Sequence, residues 1–161
     1  MVTDLKRLIE ALVAERVDFV VIGAVALVLH GSPRVTKDLA ICYGRTPDNL
    51  ERLAAALRPF RPTLRGAPPD LPFELDARSL YSGLNFTLQS ELGDIDLLGE
   101  VSGVGGYEQA VADAVLMEVY GHPVRVMSLS NLERAKRAAG RLKDLADLEE
   151  IAELQRRAGP G

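Results

Sequence analysis

Tryptophan is absent, cysteine occurs once and histidine twice in the 161 residues of this chain. A single cysteine cannot close an intrachain disulfide, so the cytoplasm is the expected compartment. Cys42 has no histidine at catalytic or ligand spacing and reads as a small core residue. His30 and His122 stand apart from any second ligand residue, which makes them a helix-end and a turn residue. No apolar run approaches the roughly 18 residues of a membrane span, and the opening Met-Val-Thr-Asp-Leu-Lys-Arg has no signal-peptide core. Nor is there an excess of basic charge. A formal net charge of −4 argues against a surface that binds nucleic acid throughout, leaving Arg58, Arg61 and Arg65 as a local basic group in a proline-broken loop.

What is present is the composition of an ordinary globular domain, 47% hydrophobic and 26% charged, so neither disorder nor a fibrous class is indicated. One domain spanning 1–161 is expected, long enough to bury about two thirds of its unfolded surface. Leu5, Leu8, Ile9, Leu12 and Val13 recur at three and four, predicting an amphipathic helix over residues 3–15 capped by Thr3. Thr46-Pro47 opens another helix, with Leu50, Leu53, Ala54 and Leu57 on its apolar stripe and Pro59 at its end. Residues 59–79 hold five prolines and predict a long irregular connection. Leu84 to Gln89 and Asp94 to Leu98 read as a hairpin of two strands. Ser102 to Gly106 is glycine-rich but lacks the Lys-Ser/Thr ending of a phosphate loop. Val115 to Tyr120 and Val124 to Met127 form a second hairpin, Ser130 to Glu133 reads as a capping box, and Arg141 to Arg156 as a helix with Leu142, Leu145, Leu148, Ile151 and Leu154 inward.

The stretch from Phe19 to Gly44 carries the chemistry. Phe19 to Ile22 is a short apolar strand, Gly23 breaks it, and Ala24 to His30 reads as a buried helix closed by Gly31. Ser32-Pro33 then turns the chain into a strand from Val35 to Tyr43, in which Thr36, Asp38 and Ala40 share one face and Val35, Leu39 and Ile41 the other. Asp94 and Asp96 likewise share the face of a later strand. A glycine turn before a helix lets a phosphate approach backbone N–H groups, and carboxylates on alternate strand positions suit a divalent cation.

These residues resemble the nucleotidyltransferase superfamily built on the DNA polymerase β catalytic core, whose pattern is Gly-Gly or Gly-Ser, Asp-x-Asp and a third acidic residue on a later strand. Gly140 to Leu148 (Gly-Arg-Leu-Lys-Asp-Leu-Ala-Asp-Leu) resembles the Arg-x-Lys-Asp-x-x-Asp signature of abortive-infection type nucleotidyltransferase toxins. The resemblance runs from Val17 to Leu148 and implies an α/β nucleotidyltransferase fold, a mixed β-sheet with flanking helices. It implies Mg²⁺ on Asp38 and Asp96, with Asp94 the alternative to Asp96, and catalytic roles for Asp38, Asp96 and Asp144. Gly23, Ala24 and Lys143 would meet the nucleotide, with Arg141 and Asp147 orienting. The implied reaction moves a nucleoside monophosphate from an NTP to an acceptor such as RNA, protein or a small molecule.

Two departures bear on activity. Ala24 replaces the second residue of the glycine turn and keeps the backbone donor. Ala40 stands where the second metal-binding Asp belongs, and losing that ligand implies an impaired or inactive enzyme, by engineered or natural substitution. The alternative function is a non-catalytic module that binds a nucleotide or an antitoxin-like protein partner.

Overall fold

The computed structural model describes residues 2–68 and 70–159. In chain order the elements are α1 (Leu5–Ala14), β1 (Phe19–Ile22), α2 (Gly23–Leu29), β2 (Asp38–Tyr43), α3 (Pro47–Leu57), a 3₁₀ turn (Arg58–Phe60), β3 (Thr63–Leu64), α4 (Ala77–Ser82), β4 (Asn85–Ser90) and β5 (Gly93–Leu98). The small pair β6 (Glu100–Val101) and β7 (Gly105–Gly106) follows, then α5 (Tyr107–Ala112), β8 (Val115–Val119), β9 (His122–Val126), α6 (Leu129–Ala139) and α7 (Leu142–Ala158). Among the described residues no helix is long and apolar enough to cross a membrane.

The chain is an α/β protein with a mixed seven-stranded sheet in the order β3-β4-β5-β2-β1-β9-β8. Two strand pairs are parallel, β2 with β5 and β1 with β9, and the rest are antiparallel. All of β1 is buried, as its central place in the order demands. Leu39 and Ile41 of β2 and Ile95 and Leu97 of β5 have no exposed surface. Their alternation with Asp38, Ala40, Asp94 and Asp96 follows from the two-residue strand period: one sheet face is core and the other is free for charge. Helix α1 packs on α3, α2 lies against β1 and β2, and α6 pairs with α7.

Four local expectations change. The cap of α1 is Asp4, whose side chain accepts from Arg7 N. Ser128, rather than Ser130, caps α6 by accepting from Asn131 N at 3.0 Å, while donating to Asp113 Oδ2 at 2.9 Å. Strand β2 starts at Asp38 rather than Val35, which is 93% exposed, because its partner β5 starts at Gly93 and pairing opens with Asp38 opposite Asp94. In α7, Leu142 and Leu145 are 87% and 55% exposed. A spacing of three drifts by about 60° per step on a 3.6-residue helix, so a run of leucines at that spacing cannot all face inward. The stripe that does is Asp144, Asp147, Ile151 and Leu154, at the i, i+3, i+7, i+10 positions. The 59–79 stretch is mostly irregular, although it holds the end of the 3₁₀ turn, β3 and the start of α4; of its five prolines, Pro69 lies outside the described residues.

Thr3 does something more useful than cap a helix. Its hydroxyl donates to Lys37 O and accepts from Asp94 N at 3.2 Å, and Asp4 N donates to Leu92 O at 2.7 Å. The segment before α1 thus ties together the beginnings of both acidic strands. Gly93 makes room for it: at φ +112° a Cβ there would stand 2.5 Å from Thr3 Cα. Gly93→Ala is therefore expected to lose about 2 kcal/mol or more by urea unfolding. Gly121→Ala, at φ +83° but with no atom of the described residues within 4 Å of the added Cβ, should lose only the backbone strain of about 1 kcal/mol.

Candidate functional site

Parallel pairing sets Asp38 of β2 beside Asp94 of β5, and Ala40 beside Asp96. All four positions share a sheet face because the strand period is two. On the other side of Ala40 lies Ile22, the last residue of β1, and the chain then turns at Gly23 with φ +69°. A Cβ on Gly23 would sit 3.4 Å from the Ala40 Cβ. The glycine turn, position 40 and Asp96 are therefore lined up across three adjacent strands.

Beyond Asp96 the row continues through Thr87 of β4 to Arg65, just past β3, whose backbone N–H donates to Thr87 O at 2.9 Å. Arg65 points back along the row. Its Nη2 donates to Asp96 Oδ1 at 2.9 Å and to Leu88 O at 2.7 Å, and its Nε lies 3.4 Å from Asp94 Oδ2. That last contact makes no hydrogen bond, so among the described residues the buried Nε–H has no hydrogen-bond partner. Burial raises the pKa of Asp96, Arg65 pulls it back, and the neighbouring charges of Asp38 and Asp94 add smaller upward pushes.

Beside the Gly23 turn is a hollow of about 200 Å³, bordered by Ile22, Gly23, Leu98, Met127, Lys136 and Arg141 among others. This is smaller than the roughly 300–1,000 Å³ of a small-molecule pocket. Both cations are held from behind by α7. Asp144 is fully buried and accepts from Arg141 N at 3.0 Å, Arg141 Nε at 2.7 Å and Lys136 Nζ at 3.5 Å. Lys136 Nζ is also 2.8 Å from Asp147 Oδ2. Arg34, from the turn after α2, donates to Asp147 Oδ1 at 2.6 Å and pairs with Glu150. One network thus joins α6, α7 and the segment leading into β2. Arg141's hydrogen bonds hold the Asp144 carboxyl at about 2. Burial pushes Asp147 and Glu150 up, but Lys136 and Arg34 at Asp147, and Arg34 and Ser32 at Glu150, more than reverse it, leaving both below the usual carboxylate range.

No protein-family model matches this chain, and no curated protein matches it. The donor atoms themselves test whether Mg²⁺ fits. Mg²⁺ demands near-ideal octahedral oxygen geometry, commonly with one or two carboxylates. Ala40 offers no oxygen, Asp96 is bonded to Arg65 and Asp94 leans on the same guanidinium. Among the described residues no group of three His, Cys, Asp or Glu is placed to hold a metal. Of the three acids only Asp38 stands clear of Arg65, and with no oxygen at position 40 the residues as arranged do not fit a resident divalent ion.

Of the residues singled out from the sequence, Gly23, Ala24, Asp38, Asp94 and Asp96 lie around position 40, Gly23 and Ala24 being the first two residues of α2. Lys143 is exposed on the first turn of α7 and does not border the hollow. Asp144 is bound up with Arg141 and Lys136, which do border it. His30 Nε2 pairs with Met127 O at 2.8 Å, and His122 Nε2 is 3.7 Å from Glu10. Two residues emerge from the structure. Lys136 had no sequence signal, since the burial of Asp144 and Asp147, which calls for a cation from the neighbouring helix, is itself decided by tertiary packing. Arg65 had none beyond its charge, since only the edge pairing of β3 aims it at the acids.

Carboxylates with depressed pKa values stabilise the fold above their ordinary range and lose that contribution as pH falls through the folded values. Asp144→Asn is therefore expected to lower the melting temperature by several degrees at pH 7. The difference between variant and parent should shrink as pH falls from about 4 toward 2, followed by circular dichroism melts.

Proposed function

We propose that this chain is a nucleotide-binding domain of the nucleotidyltransferase type, with transfer silenced at position 40. The observation that carries the reading is the line of Gly23, Ala40 and Asp96 across three strands, with Lys136 and Arg141 bordering the hollow beside Gly23. The glycine lets a phosphate approach the backbone closely, and the two cations supply charge for a polyphosphate chain. Asp38 and Asp96 face the ligand from the sheet side. The ligand class that suits this split of charges is a nucleoside triphosphate: its phosphates belong near Lys136 and Arg141, and its reacting centre over the acids.

The reaction that such a face serves, once a carboxylate stands at 40, is attack of an acceptor oxygen on the α-phosphorus with departure of pyrophosphate. In the chain as it is, one of the charged groups for that reaction is missing, which ordinarily costs several orders of magnitude in rate. Binding without turnover is the expected state.

The test has two parts. By calorimetry at constant ionic strength, Lys136→Ala is expected to weaken NTP binding about tenfold or more, with Lys143→Ala within about twofold of the parent. The reverse ranking would move the phosphate site to Lys143, and no binding of any NTP by the parent would sink the proposal. For the chemistry, parent and Ala40→Asp are incubated with each labelled NTP, Mg²⁺ and total cellular RNA. Label transfer and pyrophosphate release are expected from Ala40→Asp alone. Turnover by the parent equal to that of the variant would show that position 40 does not silence it.

A further inference from the structure

We propose that Arg65 is the resident cation of the acidic cleft, and that while position 40 is an alanine its guanidinium, held between Asp94 and Asp96, keeps divalent metal ions off these carboxylates. The proposal does not depend on nucleotide binding. It rests on four observations about one side chain and its surroundings.

The first is position. Arg65 Nη2 is 2.9 Å from Asp96 Oδ1, and Nε is 3.4 Å from Asp94 Oδ2, so one planar cation spans two carboxylates on the same strand face. The second is anchorage. The backbone N–H of Arg65 continues the sheet by donating to Thr87 O, and Nη2 also donates to Leu88 O. These bonds hold the guanidinium over β4 and β5 with partners that no metal would replace. The third is the empty place opposite Asp96: Ala40 contributes only a methyl group, so an ion entering here would exchange the guanidinium for one fewer carboxylate than the pattern of the strand provides. The fourth is the distribution of the other cations. Arg34 is committed to Asp147 and Glu150, and Lys136 to Asp144 and Asp147, so among the described residues Arg65 is the cation paired with Asp94 and Asp96.

The energetics favour the arginine. A guanidinium is weakly hydrated and meets carboxylates with a preformed fork, whereas Mg²⁺ sheds its waters reluctantly and requires oxygens at about 2.0–2.1 Å. To bind, the metal would have to break the Arg65–Asp96 bond and leave a half-buried guanidinium without its counter-ion. Asp38 is exposed and adds attraction from a distance, which salt screens.

The experiment titrates Mn²⁺, without nucleotide, into the parent, Arg65→Gln, Asp96→Asn and the Arg65→Gln/Asp96→Asn pair, reading free Mn²⁺ by electron paramagnetic resonance. Parent and Asp96→Asn are expected to show equally weak binding. Arg65→Gln should gain a Mn²⁺ site about tenfold tighter or more, and the paired variant should lose it. Circular dichroism establishes that each variant is folded. Should Arg65→Gln unfold, Arg65→Lys keeps a charge without the fork and is expected to gain about threefold or more over the parent. A parent that binds Mn²⁺ in a manner abolished by Asp96→Asn overturns the proposal whatever the Arg65 variants do. So does a folded Arg65 variant with no gain.

Discussion

The parallel pairing of β2 with β5 is the constraint on which the rest of the cleft depends. It places Asp38 beside Asp94 and Ala40 beside Asp96, and because strand faces alternate, it buries Leu39, Ile41, Ile95 and Leu97 by the same act. A one-residue slip would send the carboxylates into the core, so the apolar residues enforce the register of the acidic ones. The segment around Thr3, pinned to Lys37 O and Asp94 N, adds a second lock at the ends where both strands begin.

Concentrated negative charge on that face has to be balanced, and the chain does so locally. Arg65 meets Asp94 and Asp96 from the sheet edge, while a separate network of Arg34, Lys136 and Arg141 with Asp144, Asp147 and Glu150 fastens α7. The two systems differ in kind. The carboxylates on α7 are stabilised as charges, with Asp144 held at about 2, whereas Asp96 is raised by burial despite its partner. A buried carboxylate that is fully paired acts as a structural anchor. Asp144 is such an anchor, holding Lys136 and Arg141.

Strand and helix identities are largely legible in the sequence, because they follow from local periodicity: the buried run of β1, the alternation in β5, the Thr46 cap of α3. The glycine turn and the acids at 38, 94 and 96 are legible for the same reason, each being a local pattern of residue types. The orientation of α7 is not, and its cause is different. Leu142 and Leu145 face outward because the drift of the leucine spacing around the helix is resolved in favour of Asp144 and Asp147, and that choice depends on Lys136 and Arg34 being within reach.

The sequence by itself determined which residues are apolar on each face, where the chain must turn, and that position 40 carries no carboxylate. Tertiary structure decided what lies opposite what. That Ala40 meets Asp96, that Gly23 closes over Ala40, and that Arg65 rather than another arginine reaches the acids are facts of pairing between segments far apart in the chain. No local pattern encodes them, since strand order and edge register are set by the joint burial of every strand and helix at once.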